Sequence, residues 1–161
     1  MRRVYLDSNI LIAHFSPDGS EDEKRQLVAS ALQSFSNARK IELYTSMWAV
    51  TEMVNILVSN KKMARGAVAE IESRLINERR LDESKLHLLD VSPNADYDFD
   101  EFFYHVREGI LAYHSGVGDI IHSVIMKNNG VGEILTFDEK EDFKRIPGLT
   151  VLHPRDIRID R

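Results

Sequence analysis

The sequence contains no cysteine. Disulfide scaffolds, cysteine nucleophiles, cysteine-ligated zinc sites and iron–sulfur clusters are therefore excluded. Its four prolines (Pro17, Pro93, Pro147 and Pro154) are scattered, and no proline-rich linker, internal repeat or low-complexity tract divides the chain. No run approaches the ~18 apolar residues of a membrane span. Met1-Arg2-Arg3 reaches Asp7 without the apolar stretch of a signal peptide, so a cytoplasmic protein is expected. An excess of positive charge is also missing. The 21 Lys and Arg stand against 26 Asp and Glu, a net of −5. The phosphate backbone of a nucleic acid repels such a chain, unless several acids are gathered in one site and neutralised by metal.

What is there suits one globular domain over residues 1–161. A chain of 161 residues buries roughly 70% of its unfolded surface without a disulfide or structural metal. Strands and helices alternate. Val4–Leu6 reads as a strand, followed by a helix from Asn9 to Phe15. Ser20-x-x-Glu23 has the form of a capping box and starts an amphipathic helix to about Ala38. Ile41–Thr45 is a second strand. Apolar residues at helical spacing then mark Met47–Val58 and Ala64–Asn77. Leu86–Val91 is a third strand and Phe99–Tyr113 a helix. Gly116-Val117-Gly118 breaks that helix and Asp119–Lys127 restarts it. Ile134–Thr136 and Thr150–Leu152 are the last strands. The alternation predicts a parallel α/β sheet with right-handed crossovers, and such sheets bind ligands at the carboxyl ends of their strands.

Acids stand at those ends. Asp7 follows the first strand, Asp138 the fourth, Asp119 opens a helix after the glycine turn, and Glu52 lies inside the helix after the second strand. Each has a structural alternative. Asp7 and Asp119 suit helix N-termini, and Asp138 lies within Thr136-x-x-Glu139, again of capping-box form. Glu52 is harder to explain that way, because it sits on an apolar helix and a buried glutamate needs a partner. If the fold gathers all four, like charges raise one another's pKa. A hard divalent cation, Mg²⁺ or Mn²⁺, relieves that conflict through oxygen ligands. The chemistry such an ion serves is phosphodiester hydrolysis.

These segments resemble a known family. Val-Tyr-Leu-Asp-Ser-Asn-Ile-Leu-Ile (residues 4–12) is similar to the opening of a PIN domain. Thr45–Glu52, Gly118–Val124 and Ile134–Asp138 with Asp142–Leu149 resemble its later motifs in the same order. The resemblance runs to about Pro154, and by length and motif it is greatest to the VapC-type toxins of toxin–antitoxin pairs. It implies a three-layer α/β/α fold with a five-stranded parallel sheet, order 3-2-1-4-5. It also implies a metal-dependent endoribonuclease that leaves 5′-phosphate and 3′-hydroxyl ends. Asp7, Glu52, Asp119 and Asp138 would hold the ion, Ser8 and Thr136 would support the site, and RNA and an antitoxin would be the partners. One departure concerns Asp142. It stands four residues after the fourth acid, where family members often have an acid two residues on, so it is expected to support the site and not to ligate. His122 replaces what is often a small residue; three residues after Asp119 on a helix it could face the site, with a structural histidine as the preferred reading.

Other features are weighed beside these. Asp96-x-Asp98-x-Asp100 resembles an EF-hand start, but Glu101 replaces its glycine and Arg107 its final glutamate. An acidic helix start is the better reading. Lys61, Lys62 and Arg65 are candidate RNA contacts, with solvated helix ends as the alternative. Apolar residues beyond one face between 47 and 77 suggest a surface for an antitoxin segment or a second copy, a homodimer. Two rival functions remain. One is a phosphatase forming an aspartyl-phosphate on Asp7, although Asn9 stands where its general acid is needed. The other is a catalytically silent RNA- or protein-binding module.

Overall fold

The computed structural model describes residues 1–38, 40–138 and 142–157. Its centre is β1 (Arg2–Leu6), where Val4, Tyr5 and Leu6 are fully buried. β2 (Ile41–Ser46) pairs parallel to β1 on one side, with β4 (Ser84–Leu89) beyond it. β5 (Glu133–Leu135) pairs parallel on the other side, with β6 (Thr150–Leu152) beyond. These five strands have the expected 3-2-1-4-5 order. The sheet has one further strand. Arg80–Leu81, β3, pairs antiparallel to β4 at the edge, giving β3-β4-β2-β1-β5-β6. Arg79 takes a left-handed conformation at φ 55°, and the chain turns there into β3. Arg80 is therefore in a strand, three residues beyond the expected helix end at Asn77. Two residues carry too little apolar periodicity to announce a strand.

The helices flank the sheet. They are α1 (Ser8–Phe15), α2 (Asp22–Asn37), α3 (Met47–Ser59), α4 (Arg65–Ser73), α5 (Phe99–Tyr113) and α6 (Val117–Asn128). α1 packs against α2 and α3, and α5 against α6. Each start has a local cause. Asp7 caps α1 and Ser46 caps α3, accepting from the Ala49 N–H at 3.2 Å. Asp98 caps α5 through the Glu101 N–H at 2.9 Å, as the acidic-start reading required. The expected capping box at Ser20 does not form. Asp18 instead accepts from the Ser20 N–H at 3.0 Å, a single 3-10 turn spans Gly19–Glu21, and α2 begins at Asp22. α4 also ends earlier than expected, widening into a π turn over Arg74–Glu78.

Between residues 47 and 77 the apolar surplus is largely used internally, with Val54, Val58, Met63, Ile71 and Ile76 packed on the core. Exposed large apolar side chains lie mainly on α5, at Phe99, Phe103, Tyr104 and Leu111. No helix among the described residues is long and apolar enough to cross a membrane.

The register matters most for the site. Leu6 pairs with Leu135 and Tyr5 with Tyr44. One step beyond, Asp7 emerges beside Thr136, and β2 ends nearby at Ser46. Thr45 Oγ1 donates to the Leu6 carbonyl at 3.1 Å, fastening the two strand ends.

Candidate metal centre

Asp7 is the anchor. It is 5% exposed and held from three directions. The Ser8 N–H donates to Oδ1 at 2.7 Å, the Ser8 hydroxyl reaches the same oxygen at 3.4 Å, and Thr136 Oγ1 donates to Oδ2 at 2.6 Å. Thr136 is itself positioned by Asn9, whose Nδ2 donates to Oγ1 at 2.9 Å, while Asn9 Oδ1 accepts from the Phe137 N–H at 3.1 Å. The Asp138 N–H also donates to Thr136 Oγ1, at 3.0 Å. Asn9 thus ties the first turn of α1 to the end of β5. At the position where the phosphatase reading needs an acid, its amide is committed to this brace.

Glu52 comes from α3 and Asp119 from the first turn of α6. Asp7, Glu52, Asp119 and Asp138 line one open cleft of about 330 Å³, together with Ser8, Asn9, Lys24, His122 and Phe137. All four predicted acids are brought together. One ligating atom from each of Asp7, Glu52 and His122 lies within 4.8 Å of the others, and the same holds for Asp119, Asp138 and Asp142. Asp142 therefore stands closer to the acids than its sequence offset suggests. A larger hollow, about 660 Å³, lies between α5, α6 and residues 146–149, and none of the clustered acids lines it.

The electrostatics follow from this crowding. Burial pushes the Asp119 carboxyl up to about 6, with Asp7, Asp138 and Asp142 adding repulsion against a smaller pull from His122. Burial likewise raises Asp7, although His122, Thr136 and Ser8 oppose it. His122, 2% exposed, is the internal counterweight. Its Nε2 lies 2.8 Å from Glu52 Oε2 and 3.4 Å from Asp7 Oδ1. Burial pulls the imidazole down. The Glu52 hydrogen bond and the charges of Asp7, Glu52 and Asp119 outweigh that, and its pKa is raised. The donor set suits a hard divalent cation: carboxylate oxygens in excess, two of them protonating more readily than isolated ones, with a single histidine.

Of the candidate cations, Lys61 is committed within the chain, 2.9 Å from Glu21 and 3.1 Å from Asp18. Lys62 and Arg65 are exposed. None of the three lines the cleft. Among the described residues the cation that does is Lys24, half-exposed with its Nζ 5.7 Å from the Phe137 ring centroid. The sequence reading passed over Lys24, and a cation in an ordinary amphipathic helix offers no signal. It also passed over Asn9 and took His122 as structural. His122 has a signal, three residues after Asp119 on an otherwise apolar helix, whereas Asn9 has only its place two residues after Asp7.

The PIN domain family matches residues 4–149. The chain belongs to the PIN-domain family. Three solved structures share the fold at low identity. VapBC2 from Rickettsia felis, bound to a DNA fragment from its promoter, is 17% identical with a TM-score of 0.59, covering 94% of this chain and 98% of that one. VapC20 from Mycobacterium tuberculosis, a toxin that cleaves the sarcin–ricin loop, is 14% identical with a TM-score of 0.56, covering 88% and 92%. FitAB, bound to a DNA fragment, is 17% identical with a TM-score of 0.55, covering 98% and 99%. No curated protein matches the sequence. The chain places Asp7 and Asp138 just after β1 and β5, with Glu52 reaching in from α3 and Asp119 from the first turn of α6.

Proposed function

We propose that this PIN domain is a divalent-metal-dependent endoribonuclease, and that it serves as the toxin of a toxin–antitoxin pair. The observation that carries the reading is the convergence of Asp7, Glu52, Asp119 and Asp138 on one cleft, with Asp119 pushed up to about 6. Such a cluster is costly for a protein to keep unless a cation uses it. When bound, Mg²⁺ or Mn²⁺ would supply a water of lowered pKa and charge neutralisation for in-line attack on a phosphodiester. The chain's own groups do the positioning. Thr136 and Ser8 fix the Asp7 carboxylate, and Asn9 fixes Thr136. Asp119 and Asp138 line the same cleft with Asp142 close to them, and a carboxylate there can orient or accept a proton from the attacking water. Lys24, lining the cleft, offers a phosphate contact.

The toxin assignment is supported by the VapBC2 and FitAB structures, which are complexes of such pairs, and by the RNA loop cleaved by VapC20. An antitoxin chain and a second copy of this chain are the proposed protein partners. Asp7→Asn and Asp119→Asn are each expected to lower Mn²⁺-dependent RNA cleavage by at least a hundredfold while the far-ultraviolet circular dichroism stays unchanged. Cleavage retained in both variants refutes the reading.

One observation favours a second reading, a catalytically silent binding module. His122 already offsets charge on Asp7 and Glu52 inside the protein, with no ion required. Saturable Mn²⁺ binding without cleavage of a broad RNA panel, including structured rRNA and tRNA, would support it.

A further inference from the structure

We propose that His122 is a positioning residue for Glu52, holding one of its carboxylate oxygens so that only the other is presented to the cation. The inference rests on the metal-centre reading above.

The imidazole is fixed on every side. Its Nδ1 lies 2.8 Å from the Tyr5 hydroxyl, and that hydroxyl lies 2.6 Å from Ser46 Oγ. Ser46 Oγ in turn accepts the Ala49 N–H. Tyr5 meets the ring edge-on at 5.6 Å, and the buried Phe143 ring lies 6.3 Å away. Four elements, β1, β2, α3 and α6, thus converge on one ring.

Their partners decide where its hydrogens are. A carboxylate oxygen accepts, so Glu52 Oε2, 2.8 Å from Nε2, calls for a hydrogen on that nitrogen. A neutral ring then carries its hydrogen on Nε2. A protonated ring carries one there as well. In both states Nε2–H donates to Glu52 Oε2, at 2.8 Å. A neutral ring leaves Nδ1 bare to accept from the Tyr5 hydroxyl, and a protonated ring donates Nδ1–H to it, so the Tyr5 contact is kept in both states.

The other oxygen is turned elsewhere. A Cβ at Gly118 would stand 3.1 Å from Glu52 Oε1, so Oε1 faces the first turn of α6, next to Asp119. Glycine at 118 leaves it room. Glu52 therefore points one oxygen at His122 and the other toward Gly118 in the first turn of α6. A carboxylate on a flexible side chain would otherwise rotate, and fixing it before the ion arrives removes that ordering cost from binding.

The test is Mn²⁺ alone, titrated by calorimetry into the full chain, with a thermal melt for each variant. His122→Gln keeps an N–H₂ near the position of Nε2, whereas His122→Ala removes the donor. Tyr5→Phe removes only the hydroxyl that orients the ring. His122→Ala should weaken Mn²⁺ binding about ten- to a hundredfold, Tyr5→Phe several-fold, and His122→Gln should recover most of the loss. Tyr5→Phe also keeps the test valid if His122→Ala fails to fold. A merely structural histidine would lower melting temperatures and leave the dissociation constants near wild type in all variants that fold, and that result overturns the proposal. A strong ¹⁴N coupling in the electron spin echo of the Mn²⁺-loaded wild type also overturns it, because His122 would then be a direct ligand. No Mn²⁺ binding by the wild type would instead remove the metal-centre reading beneath it.

Discussion

At the scale of single residues, the cleft is a site of crowded negative charge that His122 offsets only in part. Asp119 is held at about 6 against an ordinary 3.8, chiefly by burial and then by Asp7, Asp138 and Asp142. The sign of the consequence is fixed by linkage. Between those two values the folded protein keeps a proton that the unfolded chain has released, so stability of the metal-free protein falls as pH rises through that window and stays lower above it. Asparagine at 119 cannot ionise. Metal-free Asp119→Asn is therefore expected to melt a few degrees above wild type at pH 8, with the difference vanishing near pH 4. Equal melting at pH 8 would mean that Asp119 is not strained by its neighbours. The four acids themselves were legible in the sequence, since each stands where a parallel sheet delivers ligands. Their counterweight was not. His122 stands three residues after Asp119, so helical spacing lets it face the site, but nothing in the sequence names its partners, and Tyr5 reads as one more apolar position in a strand. The chain from Ser46 through Tyr5 to His122 and Glu52 joins residues up to 117 positions apart, and only tertiary packing brings them together.

At the scale of elements, the site is a consequence of register. β1 and β5 end together, so the residue after each faces the other, and Asp7 meets Thr136. Asn9 then fastens α1 to that junction through Thr136 and the Phe137 amide. Removing its side chain leaves the half-buried Phe137 N–H without its acceptor. Asn9→Ala is expected to destabilise the protein by about 1–2 kcal/mol in urea unfolding, and to weaken Mn²⁺ binding because Thr136 loses its brace. Unchanged stability together with unchanged binding would show that the Asp7–Thr136 bond needs no support from α1. The parallel sheet was legible from the alternation of patterns, and the order of its five strands from the resemblance alone. β3 and the turn at Gly19–Glu21 were not, because each is set by a few local hydrogen bonds. At the start of α2, Asp18 outcompetes the Ser20 cap that the sequence pattern suggested.

At the scale of the whole molecule, an acidic chain is proposed to act on a polyanion. With a net charge of −5 and several carboxylates lining one cleft, the metal-free protein should repel RNA at that cleft. The account therefore stands or falls on whether the clustered acids bind a divalent ion. The direct measurement is a calorimetric Mn²⁺ titration of wild type and of the Asp7→Asn, Asp119→Asn double variant at pH 7.5, above the Asp119 titration. The account predicts saturable binding by the wild type and its loss in the double variant, with the fold intact in both. Wild-type protein that takes up no Mn²⁺, or a double variant that binds as tightly as wild type, would contradict it.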